Sequence, residues 1–526
     1  MENTIHNVET SIVIYFSDGR TFNLPMADPS QQDLDNYCTS IKLKEQLYTQ
    51  NNNNVIGNVS ANTLSLTIQS KNGLLISSNT SSTYYGLMND SAYISVQCTG
   101  EDDVTTNMGL YYVDTWENGV TASTANEVSI NAINLLGKLK NIPLRKIRLQ
   151  RDLRISDYLK SILDKLNSTL PSHMQINYNL SDLNIFGNSG YNYQLWFNNI
   201  DRDSFENILN SIAQNTISHL WIDRNNYFKT DWLLDDTSET TIADFSGSLN
   251  VLDYGTQLAD TSNASGVEVT YIDNVSYEDR ELATLENFSL NLGVNNIENI
   301  SLNSDKVLSI NTVEITCALG DAYVVSLFNY KNTADLKIWS SQYTTATIKI
   351  FGTVINENTN LITLYKNNNN KNNLIALKNN ILRKELINAY AGGLLSLISI
   401  RDNCIYVEGF INPQLKIGDM VNITGTKLGI SGAYKIIGMD FTLGTNYRCV
   451  ATLIKTFNNE NETPTIEDIT SALSQQLNLF ENRLNGQTVS PSSYDSITQE
   501  DEQYYNTNLE FSSAENTFEG TLAGTI

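Results

Sequence analysis

The sequence predicts a β-rich α+β protein in which two β domains flank a helix-containing middle domain. Its 526 residues exceed what one hydrophobic core serves, so about three or four domains are expected. Short segments of alternating apolar and polar residues, separated by turn residues, dominate residues 1–122 and 236–460 and predict strands. In residues 123–235 and 461–526, apolar residues recur at spacings of three and four, which is typical of helices.

The first predicted β domain covers residues 1–122. Residues 11–16 and 21–24 alternate in polarity on either side of Asp18-Gly19, a dipeptide that favours a tight hairpin turn. Further strands are predicted at residues 63–69, 93–98 and 108–114. Repeated short strands with turns between them favour a small barrel or a sandwich.

Two helices are predicted early in the middle domain, residues 123–235. The first covers residues 127–138. The second covers residues 155–166, where the apolar residues share one helical face and Ser156 or Asp157 is the expected N-cap.

A third helix and a hairpin complete the middle domain. Asp203 followed by Glu206 three residues later forms a capping box, which predicts a helix that continues to about residue 216. Two short apolar segments then flank Asp223-Arg224, so these residues are predicted to lie in a turn between paired strands.

The second predicted β domain, residues 236–460, contains many strand-like segments and one helix. Strands are predicted at residues 266–272, 311–317, 323–330 and 345–351. The helix is predicted at residues 374–391 and should end at Gly392-Gly393, because glycine is the usual residue after a helix.

The clearest strand signal of the chain lies at residues 415–437. Apolar positions alternate on both sides of two turn signals and predict consecutive antiparallel strands. Gly418 and Asp419 form the first bend, Gly429 and Gly432 form the second, and Tyr434 follows. These residue types at this spacing indicate a structural role and no catalysis.

Residues 461–526 are predicted to form a helix and an extended acidic tail. The apolar residues of the helix, residues 465–484, step by three and four, which suits packing on the body or a short oligomeric bundle. They are Ile466, Ile469, Leu473, Leu477, Phe480 and Leu484. No Lys or Arg follows Arg483, so an extended tail is expected there.

The charge of the chain bears on its partners. The net charge of −25, from 58 acidic and 33 basic residues, argues against a protein that grips nucleic acid through phosphates. It is compatible with one that lets nucleic acid pass. The start lacks the pattern of an export signal and no apolar run has membrane-spanning length, so we expect a chain made in a reducing cytoplasm without a membrane anchor.

Residues that could carry catalysis or bind a metal are few. The five cysteines include no C-x-x-C pair, and the three histidines lie far apart in sequence, so neither a metal site nor a cofactor is expected. Acidic clusters such as Glu101-Asp102-Asp103 allow paired-acid glycoside hydrolysis, but solvated loops explain them better. No catalytic residue is assigned, and an enzyme is not expected.

The order of the motifs resembles a known family. The capped helix that starts at Asp203, the hairpin at Asp223-Arg224 and the segment from Gly418 to Tyr434 resemble those of baseplate hub and tail-tip proteins of tailed bacteriophages. That family includes late control D proteins and the N-terminal part of tail-associated lysins. The resemblance covers nearly all of residues 1–460.

The resemblance implies a structural hub protein that forms a homotrimer. Two related, tail-tube-like barrels per chain would form a pseudo-sixfold ring, and the partners would be the tail tube or distal tail protein on one face and a spike, needle or tip protein on the other. Phage DNA would pass through the lumen without specific binding, and the protein would reside in the virion. The acidic excess is then expected partly on the lumen, and the helix at residues 465–484 is expected to contact another chain.

Two alternatives remain open. One is a carbohydrate-active protein that hydrolyses peptidoglycan or capsule through paired acids in a cleft. The other is a receptor-binding tail component, which would bind glycans at exposed aromatic residues. No muralytic domain follows the shared pattern, so lysin activity is not expected.

Overall fold

A computed structural model describes the chain from residue 8 to residue 455, with internal gaps. The described ranges are 8–27, 34–47, 57, 59–119, 126–144, 151–183, 185, 194–197, 204–233, 241–245, 251–258, 264–304, 306–365, 374–382, 384–400, 403–423, 432–444 and 447–455. Within these ranges strands far outnumber the four α-helices, as the sequence predicts.

The first β region contains seven strands whose side chains alternate between core and solvent. They are β1 Val8–Tyr15, β2 Thr21–Leu24, β3 Asn36–Gln46, β4 Thr63–Ser70, β5 Tyr93–Gly100, β6 Thr105–Gly119 and β7 Glu127–Ile133. The predicted β1–β2 hairpin is confirmed, with Tyr15 opposite Thr21 and Ile12 opposite Leu24.

The middle region contains three helices and short strands. They are α1 Leu135–Leu139, β8 Arg151–Arg154, α2 Ile155–Asn167, β9 Asn177–Tyr178, β10 Gln194–Phe197, α3 Phe205–Thr216, β11 Ser218–Ile222 and β12 Tyr227–Trp232. The apolar stripes of α2 and α3 are buried in one core cluster, because each stripe covers a single helical face.

The remaining region is mostly strand. It contains β13 Ala243–Asp244, β14 Val251–Leu258, β15 Gly266–Leu290, β16 Gly293–Ser301, β17 Val307–Cys317, β18 Ala322–Asn329, β19 Thr333–Ser340, β20 Thr344–Tyr365, β21 Leu374–Asn379, α4 Lys384–Ile400, β22 Asn403–Gly409, β23 Met420–Ile423, β24 Gly432–Leu443 and β25 Arg448–Lys455.

Strands from both ends of the chain share one 13-stranded sheet. Its main path runs β14-β22-β25-β24-β3-β4-β7-β6-β5-β1-β2, and β23 and β13 branch from β24. The two β regions meet at the antiparallel pair β3–β24, where Ile41 is opposite Leu443 and Gln46 is opposite Gly438. One apolar cluster contains buried residues from both regions, including Leu43 and Met439.

The two predicted barrels are therefore not seen as separate closed units. None of the sheets in the described part of the chain closes into a barrel, and the strands of both regions form one open path. Register within each region is set by alternating apolar residues, but the β3–β24 pairing joins segments about 400 residues apart, which local patterns do not specify.

Residues 266–379 form two further sheets. One has the order β17-β20-β15-β21 and the other β16-β19-β18. They enclose their own core, whose buried members all come from residues 282–354. We call residues 282–354 the outer sandwich. The prediction placed this range within a single second barrel, whereas the structure gives it a core of its own.

A long two-stranded ribbon leads to the outer sandwich. Strands β15 and β20 pair from Gly266–Tyr365 to Leu290–Thr344, with register shifts along the way. At the base, Val267 and Val269 are buried in the same core cluster as the helices. Residues 275–281 in the middle of the ribbon are exposed, because neither sheet face is covered there.

Two predicted helices differ from the structure. Residues 127–138 divide into β7 and α1, because Val128 and Ile130 alternate into the sheet core and Asn134 then caps α1 by accepting a hydrogen bond from Gly137 N. Helix α2 has Arg154 at its N-cap position without a side-chain cap, so Ser156 and Asp157 lie within the first turn.

The predicted helix at residues 374–391 is also shifted. Residues 374–379 instead form β21, which pairs in parallel with β15. Helix α4 starts at Lys384 and includes Gly392 and Gly393 in its interior. Its apolar residues are buried against the base of the ribbon, and this packing outweighs the helix-ending tendency of glycine.

Candidate functional site

The predicted cap of α3 lies one residue further along the chain. Ser204 is the N-cap, and its side chain accepts a hydrogen bond from Asn207 N at 3.2 Å. The predicted capping box, with Asp203 as N-cap, is therefore wrong in position, and Asp203 itself lies outside the described residues. Glu206 lies in the first turn, where its backbone N–H donates to Lys140 O.

The turn between β11 and β12 is shaped by Asp223. Its carboxylate accepts hydrogen bonds from Asn225 N and Tyr227 N, both at 2.9 Å. Asn226 adopts a left-handed conformation with φ +61°, which asparagine tolerates better than most residues. The predicted strand-turn-strand is confirmed, and Asp223 fixes the turn that carries Arg224.

Arg224 forms a buried, two-point ion pair with Glu45 of β3. The distances are 2.6 Å from Nε to Oε1 and 2.9 Å from Nη2 to Oε2, and the side chains are 10% and 2% exposed. Burial alone would lower the pKa of Arg224. The attraction of the Glu45 carboxylate outweighs that effect, and the net result is a raised pKa. The two-point geometry is that of a strong guanidinium–carboxylate pair.

Arg224 also contacts the second β region. Nη1 donates to Pro413 O at 2.5 Å and Nη2 donates to Leu415 O at 2.9 Å. The guanidinium carbon lies 5.5 Å from the centre of the Phe441 ring, a distance that allows a cation–π contact. One side chain of the middle region is thus bonded to β3 and to the segment that precedes β23.

The backbone of the same turn is anchored by the first β region. The Asn107 side chain, on β6, donates to Arg224 O at 2.9 Å and to Asn225 Oδ1 at 2.8 Å. Its own oxygen accepts from Gly109 N at 3.1 Å, so the amide is oriented by its neighbours. The turn is consequently held on both sides.

The predicted bend at Gly418 and Asp419 lies beside this ion pair. Gly418 has φ +93°, and the Asp419 carboxylate accepts from Lys416 N at 2.9 Å. Burial raises the pKa of Asp419, an effect that the hydrogen bond from Lys416 N opposes. Residues 415–419 form turns, so the predicted strand begins only at Met420.

A second buried ion pair joins β12 to β24. Lys435 Nζ lies 2.8 Å from Asp231 Oδ1, and the two side chains are 1% and 11% exposed. The neighbouring Tyr434 is buried opposite Val421, and Gly432 starts β24 with φ +120°. We call Glu45, Arg224, Asp231 and Lys435 the ionic junction. It joins the middle region to both β regions.

The structure thus brings together part of the predicted set. Asp223, Arg224, Gly418, Asp419 and Tyr434 lie at or beside the ionic junction. Gly432 begins β24, the strand that carries Lys435, and is opposite Ile423. Gly429 and the helix candidates Ile466, Ile469, Leu473, Leu477, Phe480 and Leu484 lie outside the described residues, so they stay predictions.

Sequence reasoning missed Glu45, Asp231, Lys435 and Asn107. A signal existed for Glu45, because it follows Ile41 and Leu43 at inward-facing positions of β3. A charge at a core position requires a partner. No local signal pointed to Asn107.

The chemistry of the junction is electrostatic and structural. Its charged groups bind each other and backbone carbonyls. Across the described ranges, no cluster of three or more His, Cys, Asp or Glu side chains could hold a metal ion. No helix in the same ranges is long and apolar enough to span a membrane.

Three cysteines are buried, and the acidic cluster lies in a solvated loop as predicted. Cys38, Cys98 and Cys449 are buried free thiols, and burial raises the pKa of Cys38 and of Cys98 to about 12. Residues 101–103 form an exposed turn between β5 and β6.

Comparisons with known proteins found similarity only among solved structures. No protein-family model and no curated protein matches the chain. The fold is similar to a tail protein from Neisseria meningitidis, with a TM-score of 0.45, 10% identity, and coverage of 85% of this chain and 96% of that one. It is similar to the 43 kDa tail protein of prophage MuSo2 from Shewanella oneidensis, with a TM-score of 0.44, 11% identity, and coverage of 85% and 98%.

A prophage tail protein from Listeria monocytogenes is also similar. Its TM-score is 0.40 at 12% identity, with coverage of 89% of this chain and 99% of that one. All three structures are described as tail proteins, and two of them come from prophages.

Proposed function

We propose that this chain is a structural hub protein of a phage tail or baseplate. Three copies would form a pseudo-sixfold ring that joins the tail tube to the tip or spike and lets DNA pass. The observation that carries this proposal is the β3–β24 pairing, which places two β regions of one chain edge to edge in a single sheet.

The ends of that sheet support assembly into a ring. Its main path terminates at β2 on one side and β14 on the other. A strand at a sheet edge presents unpaired backbone groups, which another chain can pair with. Head-to-tail contacts between different surfaces of neighbouring copies generate a ring when the rotation from one copy to the next adds up to a full turn.

The ionic junction supports a mechanical role in such a ring. A ring keeps its shape only if each copy holds its two β regions at a fixed angle. Arg224 is bonded to Glu45 in one region and to the carbonyl of Leu415 in the other. A change in the angle between the two β regions would separate buried charges from their partners, which costs several kcal/mol.

Charge supports passage of DNA. A net charge of −25 repels phosphate groups. We therefore infer an acidic or neutral lumen, virion residence, and no sequence-specific contact with DNA. A ring structure with a basic lumen would contradict this part.

The mass of the full-length protein in solution tests the proposal. Light scattering after size exclusion should give three times the 58.8 kDa of one chain, and negative-stain images should show a ring with an axial hole. A monomer at every concentration up to about 100 µM, both alone and mixed with the tail tube protein, would overturn the trimeric ring.

A structural role also predicts no turnover of cell-wall polymers. Purified protein incubated with dye-labelled peptidoglycan or capsule should release no more dye than buffer does. Release that scales with protein concentration would favour the hydrolase alternative instead.

A further inference from the structure

The far end of the outer sandwich carries a group of six large apolar side chains, five of them exposed and one half-buried. All six lie where β15, β17 and β19 end and β16, β18 and β20 begin. They are Leu292, Val294, Leu319, Tyr323, Trp339 and Tyr343, and we call them the distal tip. The ribbon enters at the opposite end of the sandwich, because β15 runs from Gly266 at its base to Leu290 at the tip.

Five of the six side chains of the distal tip are unusually exposed for their size, whereas Trp339 is half-buried. Tyr343 is 72% exposed, Leu319 65%, Val294 59%, Leu292 58% and Tyr323 56%. Single exposed apolar residues are ordinary, but a contiguous group marks a binding surface.

Hydrogen bonds between the tip loops hold these side chains in place. Ser341 N donates to Asp321 O and Asp321 N donates to Ser341 Oγ, both at 2.9 Å, and Leu319 N donates to Thr344 Oγ1 at 3.0 Å. Gly320 has φ +69°, and a Cβ there would lie 2.7 Å from Ser341 Oγ. The loops are thus closely fitted, and a fixed surface loses little conformational entropy on binding.

Two of the aromatic rings form a preformed pair. Tyr323 and Trp339 lie opposite each other on β18 and β19, with ring centres 5.2 Å apart and planes 28° apart. On the other side of Trp339, Val294 is its partner on β16. The row presents apolar rings next to a phenol hydroxyl and an indole N–H.

This combination suits a sugar. A pyranose ring has an apolar C–H face, which stacks on an aromatic ring, and peripheral hydroxyls, which need hydrogen-bond partners. The loops that carry the tip supply an amide at Gln342 and a carboxylate at Asp321.

The charge of the surface narrows the class of sugar. Residues 291–292, 318–321 and 341–343 contain one charged side chain, Asp321, and no basic residue. Anionic polysaccharides and anionic lipids are disfavoured, because the whole chain is also strongly acidic. The aliphatic members Leu292, Val294 and Leu319 suit the methyl group of an N-acetyl substituent.

We propose that the distal tip binds a neutral glycan that carries N-acetyl groups. Such a site goes beyond the hub role and does not depend on it. The ribbon would present the site to a surface polymer well away from the body, since a 25-residue strand extends about 80 Å along its path.

Titration calorimetry on the full chain tests this site with chitohexaose as the probe. Cellohexaose, which lacks acetyl groups, and polygalacturonate, which is anionic, are the comparison ligands. We expect saturable binding of chitohexaose, about tenfold weaker binding of cellohexaose and none of polygalacturonate. Absence of chitohexaose binding at millimolar concentration would overturn the proposal.

Alanine variants test whether chitohexaose binds at the distal tip. Tyr323→Ala and Tyr343→Ala should each weaken chitohexaose binding about tenfold. The matched control is Phe328→Ala, since Phe328 is 59% exposed on the same strand as Tyr323 but lies towards its other end. Unchanged thermal unfolding confirms that each variant is folded.

Two further outcomes would overturn the proposal. An equal loss in the Phe328→Ala control would show that the tip is not the site. Loss of self-association, or of binding to neutral phosphatidylcholine vesicles, in Tyr343→Ala with glycan binding retained would also overturn the proposal. The oligomeric state of each variant is measured in parallel, so failure of the glycan site is distinguishable from failure of the hub role.

Discussion

The ionic junction and the distal tip place their side chains in opposite ways. At the junction, Arg224 and Glu45 are charged and almost fully buried. At the tip, Leu319 and Tyr343 are apolar and mostly exposed. Both arrangements are costly in isolation, one through lost hydration and the other through apolar surface left in water. The junction offsets its cost within the chain, whereas we propose that the tip is covered by a ligand from outside.

The largest effect is expected from Arg224→Met, which leaves Glu45 buried without its partner. Removing one member of a buried ion pair costs about 3–5 kcal/mol, and urea unfolding monitored by tryptophan fluorescence measures it. Replacing both residues with methionine should recover part of the loss.

The control for that variant is Arg448→Met. Arg448 pairs with Glu408 at 3.2 Å, but its side chain is 56% exposed, so the loss should stay below about 1 kcal/mol. Equal effects of the two variants would show that burial does not set the strength of the junction.

Lys435→Met should have the next largest effect. It deprives the buried Asp231 carboxylate of its 2.8 Å partner. Lys435 is bonded to one oxygen of Asp231, whereas Arg224 makes four such bonds, so we expect a loss at the lower end of the range of about 3–5 kcal/mol for a broken buried ion pair. The same unfolding assay measures it. Lys44→Met is the comparison, because Lys44 is 4.0 Å from Asp440 in a more exposed pair. A greater loss of stability from Lys44→Met would contradict the conclusion that the buried pair at the ionic junction is the stronger one.

Gly418→Ala should destabilise the fold by about 1–2 kcal/mol, because a Cβ is disfavoured in left-handed backbone. Gly418 has φ +93°, while a Cβ there would meet only Trp221 at 3.8 Å, so strain and not crowding is the cause. Gly392→Ala, in helix α4 with open space around the added atom, should instead stabilise by about 0.5–1 kcal/mol. Urea unfolding of the two variants should give changes in unfolding free energy of opposite sign.

Asp419→Asn should change the pH dependence of stability. Burial raises the pKa of Asp419 in the folded protein, so its contribution to stability is present below the unfolded pKa and is lost as pH rises through the folded value. The variant should therefore gain stability relative to the wild type at neutral pH, and the gain should vanish in acid. Asp18→Asn should show the reverse, because the backbone N–H of Arg20 lowers the pKa of Asp18. Urea unfolding at pH 3.5 and pH 7 measures both signs.

Tyr343→Ala should have the smallest effect on stability. The side chain is 72% exposed, so its loss should change the unfolding free energy by less than about 0.5 kcal/mol. A larger loss in urea unfolding would mean that the tip packs against its own chain and is not a free binding surface.

Local features of the fold could be predicted from the sequence. The β1–β2 hairpin follows from Asp18-Gly19 between alternating segments, and α2 and α3 follow from apolar residues on one face. These signals act over a few residues, where backbone geometry determines the outcome.

Long-range features could not be predicted in the same way. Glu45 and Arg224 are 179 positions apart, and no local sequence pattern around either residue predicts their pairing. Helix α4 shows the same limit at shorter range, because residues 374–379 form a strand at the edge of a sheet and the helix continues past Gly392 and Gly393 to Ile400. Packing with distant segments outweighs local preference.

The β3–β24 pairing also sets the order in which the chain can mature on the ribosome. Strand β3 leaves the exit tunnel about 400 residues before β24, its partner. At roughly 5–20 residues per second, the nascent first region waits about 20–80 s with an unprotected strand edge. Such an edge invites pairing with neighbouring nascent chains. The pairing of β24 with β3 ends this exposure of the strand edge.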